Sequence, residues 1–299
     1  MRTHALACAV TLAALSVPIH EMFAAGDAGG SASSLYAQSA AQAITGALGE
    51  CGTAPSNGDD FCSQRENLSY LLLDARSRTM LLAFNWPDPE SPIPLGSLVK
   101  SFTALAYGEK HGFKYPVHLC RGTASGCWRP RGHGRIGLEA AIANSCNSYF
   151  RMLTHDLHAD DLQPIATMFG LQMPDAGSSG PSLAGIGAHW LISPLALARA
   201  YVELSQRSDQ PGVREILAGL AQSGRGGTGA EVDRALRHST ALVKTGTAPC
   251  THARRAPGDG FVIAMLPANH PEILLMVRVH GTPGSHAARI AGEMLGRVE

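Results

Sequence analysis

The sequence predicts an α+β fold in which one antiparallel sheet is built from both ends of the chain, with a helical lobe inserted between its halves. Three observations predict it. Apolar runs of strand length stand at Leu68–Asp74 and Thr79–Phe84, early in the chain, separated by the polar turn Ala75–Arg78. Three more, Ala241–Thr247, Gly260–Leu266 and Glu272–His280, stand near its end. Between the two groups the apolar spacing is helical and punctuated by glycine.

Composition narrows the function classes. The chain has 299 residues, 45% of them hydrophobic, enough for one sizeable core. Lys and Arg together number 24, as do Asp and Glu, so nothing argues for nucleic acid as a partner. At the start, Arg2 and His4 precede an apolar run from Ala5 to Ile19 and the small residues Ala24 and Ala25. This reads as a secretory signal over residues 1–24, or an uncleaved N-terminal anchor in the inner membrane; a buried helix is the plainer alternative. The expected location is the periplasm or the cell exterior, with 25–66 an N-terminal helix and loop and 67–299 the catalytic domain.

Each element has its own signal. Ser31 to Gly49 is alanine-rich, with Leu35, Tyr36, Ile44 and Leu48 at helical spacing and glycine at the end, before a loop through Asp60. Pro87, Pro89, Pro92 and Pro94 forbid regular structure and lead to a helix over Ser97–Glu109 that turns Leu98, Phe102 and Leu105 to the core. From Gly112 to Gly137 runs an irregular Gly-, Arg- and Cys-rich connection, with His133 between glycines. Helices follow at Leu138–Ala143, from Tyr149, at Asp160–Phe169 and at Pro194–Gln206, the last with Ser193 as cap and proline in first position. Ser223–Ala230 reads as a flexible glycine-rich loop, Pro267–Pro271 as a turn, and Ser285–Gly296 as the closing helix.

Of seven cysteines, Cys8 falls in the apolar run. Cys51 with Cys62 and Cys120 with Cys127 suit short disulfide loops, while Cys146 is either a packed thiol or a partner of Cys250. Twin Cys-x-x-Cys spacing is absent, so no metal or cofactor is expected.

Three short stretches carry chemistry. Ser97-Leu98-Val99-Lys100 sets a hydroxyl and an amine three residues apart on one helical face, where Lys100 could take the proton of Ser97 if burial or a second cation lowers its pKa. Ser145-Cys146-Asn147 offers a relay hydroxyl and an amide that can donate and accept. Lys244-Thr245-Gly246-Thr247 ends a strand. There Lys244 supplies the second cation, Gly246 room for a substrate, the Thr245 and Thr247 hydroxyls and Lys244 a carboxylate site, and the Thr247 N–H an oxyanion donor beside that of Ser97. Singly, each stretch also suits a plain cap or turn.

Together, in this order, they resemble the transpeptidase domain of penicillin-binding proteins, within the wider group that includes serine β-lactamases. The segments Pro94–Leu105, His133-Gly134 with Leu138–Phe150, Gly187–Ala198 and Gly227-Thr228-Gly229 extend the likeness over Asn67–Gly296. The resemblance implies Ser97 as acylated nucleophile, Lys100 as base, Ser145 and Asn147 as second motif and Lys244–Thr247 as third. It implies attack on the D-Ala-D-Ala end of peptidoglycan stem peptides, with transfer to an amine or to water, and acylation by β-lactams. The compact spacing, Trp190 and Ser193-Pro194 also resemble class D β-lactamases and β-lactam sensor domains, though those usually carry an apolar residue where Asn147 stands. A β-lactamase, or a penicillin-recognising sensor or non-catalytic cell-wall module, is therefore the alternative. The stretch before Asn67 is too short for the pedestal of larger members, and the partners that the resemblance implies include cell-wall synthesis proteins.

Overall fold

The computed structural model describes residues 34–51, 60–187, 190–249 and 258–299. The expected signal or anchor, residues 31–33 of the expected first helix, and Cys250 lie outside them. Helix α1, Leu35–Glu50, starts at Ser34, whose hydroxyl accepts the N–H of Ala37 at 3.1 Å. The N–H of Ser34 itself donates to Asp74 at 2.8 Å, pinning the helix to the first strand. A Cys51–Cys62 disulfide, one of the two expected, joins the end of α1 to the short α2, Asp60–Ser63.

Strands β1, Leu68–Asp74, and β2, Met80–Phe84, form the expected antiparallel hairpin. Prolines do not keep the next segment out of a ladder. β3, Ile93–Pro94, pairs with β6, Leu191–Ile192, because a two-residue ladder needs few donors from it. Gly96–Val99 is a 3-10 turn, and helix α3 runs only from Lys100 to His111. The Gly-, Arg- and Cys-rich connection is not irregular throughout: β4, His118–Cys120, and β5, Gly134–Ile136, make a hairpin within it.

Helices α4, Leu138–Ala143, and α5, Asn147–Leu153, follow, and a 3-10 turn, Ala159–Leu162, precedes α6, Gln163–Phe169. Helix α7, Pro194–Gln206, carries the expected Ser193 cap, bonded to the Ala196 N–H at 3.0 Å. The expected loop from Ser223 is instead the last turn of α8, Val213–Gly226, before α9, Ala230–Ala235. Its glycines are contact points: a Cβ on Gly219 would lie 2.7 Å from Glu139 O, and one on Gly224 2.9 Å from Ala241 O. They let the helix press on α4 and on the strand beyond.

Strands β7, Leu242–Ala248, β8, Asp259–Leu266, and β9, Ile273–Val279, with helix α10, Gly284–Leu295, complete the chain close to the expected bounds. The sheet order is β2-β1-β9-β8-β7, antiparallel throughout, so strands from the two chain ends meet at β1 and β9. Alternation along the strands divides the core in two. Leu68, Tyr70, Leu72, Val262, Ala264, Leu275 and Val277 pack with α1 and α10. Leu71, Leu73, Phe261, Ile263, Met265, Leu274 and Met276 pack with the helical lobe. Among the described residues no helix is long and apolar enough to cross a membrane.

In the lobe, Phe102 is fully buried, edge-on to Phe169 at 5.3 Å and to Tyr201 at 5.2 Å between ring centroids. Truncating a packed phenylalanine loses its transfer energy and leaves a cavity. Phe102→Ala is therefore expected to destabilise the protein by about 3–5 kcal/mol, read from denaturant unfolding. A loss below about 1 kcal/mol would mean that the helical lobe does not depend on this packing.

Candidate active site

The site begins with the turn that precedes α3. Gly96 has φ +55°, and a Cβ there would lie 2.2 Å from the carbonyl oxygen of Thr247. From the opposite side, a Cβ on Gly246 would lie 2.7 Å from Leu95 O and 3.0 Å from Leu98 Cγ. Two glycines, one from each end of the chain, thus let the free edge of β7 lie against the Gly96–Val99 turn. Tyr201, fully buried on α7, locks that turn by donating to Leu98 O at 2.6 Å.

Ser97 lies half-buried on the turn, and its hydroxyl makes no hydrogen bond to Lys100. Lys100 instead reaches the second motif. Fully buried, it donates to Asn147 Oδ1 at 2.6 Å and Ser145 O at 3.0 Å, lies 3.4 Å from Ser145 Oγ, and sits 5.2 Å above the Phe150 ring. Asn147 and Ser145 offer it several acceptors where Ser97 offers one. Lys244, 1% exposed, donates to the same Ser145 hydroxyl at 3.1 Å and to Thr245 O at 2.7 Å. Ser145 Oγ thus stands between two amines.

Burial sets the electrostatics. Desolvation draws the Lys100 ammonium down to about 7, with the thiols of Cys146 and Cys127 pulling the other way. Desolvation and the neighbouring Lys100 hold Lys244 well below the usual lysine range. Each is a reason for one of the two amines to be neutral.

Ser145 has φ +48°, an unfavourable conformation for a residue with a Cβ. Several contacts hold it there. The indole N–H of Trp128 donates to Asn144 O at 3.1 Å and Ser145 O at 3.2 Å, and Cys146 N–H donates to Ala141 O at 2.9 Å. The third motif reaches the same segment: Thr245 Oγ1 donates to Thr228 Oγ1 at 2.6 Å, and the backbone N–H of Thr228 donates to Ala143 O at 3.0 Å.

The fold therefore gathers Ser97, Lys100, Ser145, Asn147, Lys244, Thr245, Gly246 and Thr247 where the Gly96–Val99 turn, the Ser145 turn and β7 meet, with some changes of part. Gly246 makes room for Leu95 and Leu98 rather than for a ligand. Lys244 is occupied by Ser145, and the hydroxyl of exposed Thr247 accepts the N–H of Gly284 at 3.0 Å while keeping its own donor. Arg129 and Arg131 are exposed on the loop between β4 and β5. The sequence did not single out Trp128 or Tyr201, which acquire their parts only through contacts between distant segments.

The expected Cys120–Cys127 disulfide is absent: both are free, as is Cys146. With His133 they form a cluster whose donor atoms all lie within 4.8 Å of one another. No metal was expected from sequence spacing, which does not register ligand types that converge from separate segments.

Gly246→Ala must separate β7 from the turn, because the new Cβ would meet backbone atoms that have nowhere to go. It should cost about 1–3 kcal/mol in denaturant unfolding. An unchanged midpoint would show that strand and turn are not in contact.

The penicillin binding protein transpeptidase domain model matches residues 69–296. Among solved structures the chain is similar to the transpeptidase domain of Burkholderia pseudomallei penicillin-binding protein 3, with 16% identity, TM-score 0.63, and 91% of this chain and 96% of that one covered. It is similar to Pseudomonas aeruginosa PBP2 solved with WCK 5153, with 19% identity, TM-score 0.61, and 80% and 75% covered. Helicobacter pylori PBP2, solved as a complex with MreC, matches at 17% identity, TM-score 0.62, with 78% and 61% covered. No curated protein matches the chain significantly. With the family match running from β1 to the end of α10 and the same fold in these neighbours, the chain belongs to the penicillin-binding protein transpeptidase domain family.

Proposed function

We propose that this protein is an exported serine D,D-transpeptidase or carboxypeptidase that takes its acyl group from the D-Ala-D-Ala end of a peptidoglycan stem peptide and is acylated by penicillin. Family membership supports the transpeptidase type. The observation that carries the finer reading is Ser145 Oγ held between the buried amines of Lys100 and Lys244, beside half-buried Ser97.

That arrangement supports the following reaction, in which Lys100 turns from Ser145 and Asn147 to Ser97. Neutral Lys100 takes the proton of Ser97 as Oγ attacks the carbonyl carbon of the penultimate D-Ala. The N–H groups of Ser97 and Thr247 receive the oxyanion. Collapse breaks the C–N bond, and the proton held on Lys100 passes through the Ser145 hydroxyl to the leaving amine. The free D-Ala departs and the acyl group stays on Ser97. An amine of a second stem, or water, then attacks this ester and restores the Ser97 hydroxyl. The Asn147 amide N–H donates to the stem backbone, and the hydroxyls of Thr247 and of the Thr245–Thr228 pair bind the terminal carboxylate.

The charged run before the apolar stretch, and a disulfide between Cys51 and Cys62, favour a periplasmic or extracellular location. A cell-wall synthesis protein is the proposed partner, as the Helicobacter pylori relative was solved with MreC.

Intact-protein mass spectrometry with a penicillin tests the reading. A lasting adduct of one drug mass is expected, absent from Ser97→Ala. An adduct that clears quickly and leaves hydrolysed drug would make the protein a β-lactamase. No adduct at any time would leave a non-catalytic or partner-dependent module.

A second test is the pH profile of acylation. Lys100 works as the free amine, and the protonated fraction grows as pH falls below about 7. The rate should therefore drop about tenfold per unit below that pH and level off above it. A rate that is flat from acid to neutral pH would remove Lys100 as the base.

A further inference from the structure

We propose that Cys120, Cys127, Cys146 and His133 form a closed tetrahedral zinc site that fastens the β4–β5 hairpin to the turn carrying Ser145 and Asn147. This goes beyond the acyl-transfer reading and stands without it.

Distances carry the argument. Cys127 Sγ lies 3.9 Å from Cys146 Sγ, and His133 Nδ1 lies 3.5 Å from Cys120 Sγ and 3.6 Å from Cys127 Sγ. A tetrahedral zinc with bonds of about 2.3 Å to sulfur and about 2.0 Å to nitrogen requires donor separations of about 3.8 Å between sulfurs and about 3.5 Å from sulfur to nitrogen. These three separations already match edges of that tetrahedron, and all four donor atoms lie within 4.8 Å of one another. A disulfide needs sulfurs at about 2.0 Å, and pairing any two of three thiols would strand the third.

The surroundings are built for it. The three cysteines are 2%, 5% and 0% exposed, in the order Cys120, Cys127 and Cys146. A Cβ on Gly132 would lie 2.2 Å from Cys120 O, so glycine is what allows the loop to bring His133 back over Cys120. His133 turns Nδ1 to the sulfurs and leaves Nε2 buried without a partner.

Ligand chemistry selects the ion. Three sulfurs and one imidazole nitrogen suit zinc and exclude magnesium and calcium, which take oxygen. Four protein ligands leave no open position, so the ion is structural and does not activate water. Its place explains its use: Cys146 lies between Ser145, held at φ +48°, and Asn147, and both of these bond Lys100.

Elemental analysis of the full exported protein, purified without chelator under inert gas, tests the site, together with exchange of the ion for cobalt. One zinc per chain is expected, and the cobalt form should show the intense visible bands of a tetrahedral site with thiolate charge transfer. Cys127→Ser and His133→Ala should weaken zinc binding by about a hundredfold or more. Cys127→His replaces one ligand by another and should keep one zinc, as should the Cys51→Ser, Cys62→Ser double variant, whose thiols are elsewhere. The proposal is overturned by zinc well below one per chain with pale, octahedral cobalt spectra. Peptide mapping that finds a disulfide among Cys120, Cys127 and Cys146 would overturn it too, as would full zinc retention by both Cys127→Ser and His133→Ala.

Discussion

Two lysines end, buried, on one serine hydroxyl, and the rest of the architecture exists around that constraint. Taking an ammonium out of water costs on the order of several kcal/mol even after the protein relaxes, and taking two out together costs more because they repel. The fold offsets part of this with acceptors fixed in advance: Asn147 Oδ1, Ser145 O, Thr245 O and the face of Phe150. What is not offset lowers both pKa values, and a lowered pKa is what makes an amine useful as a base near neutral pH.

Several segments must be held against one another for this to persist, and the junctions are made by close backbone approach and short hydroxyl side chains. The Gly96–Val99 turn meets the edge of β7 where neither can carry a Cβ. Helix α10 starts against the same strand, since a Cβ on Gly284 would lie 2.3 Å from Gly246 O. Thr228 and Thr245 join the end of α4 to β7. Backbone contacts of this kind are stiff, and stiffness keeps Ser145 at its unfavourable φ. The Cys120, Cys127, His133 and Cys146 cluster gathers beside the Ser145 turn on another side.

The sheet was legible from apolar runs of strand length, because strands buried on both faces are largely apolar and their ends fall at polar turns. Helix α7 was equally plain, with Ser193 and Pro194 marking its start. The misreadings share a cause. Gly224 and Gly226 suggested a loop, yet both sit in α8, and at Gly224 close approach to Ala241 O and the Asp233 carboxylate offsets the entropy of holding glycine in a helix. Pro92 and Pro94 suggested irregular chain, yet Ile93–Pro94 pairs with Leu191–Ile192. Cys120 and Cys127 suggested a disulfide, yet their backbone places both sulfurs toward His133 instead of each other.

By itself the sequence determined the kinds of group in the site and their order: a serine and lysine three apart, a serine and asparagine two apart, and a strand ending in Lys-Thr-Gly-Thr. Residue type and local spacing settle these because they depend on short stretches of chain. Tertiary structure alone decided which atoms meet. It turned Lys100 from Ser97 to Ser145 and Asn147, gave Gly246 to the nucleophile turn, and brought Trp128 over Ser145. It also closed three cysteines and a histidine into one cluster. Those meetings join residues far apart in the chain, and only the packing of the lobe on the sheet sets the distances between them.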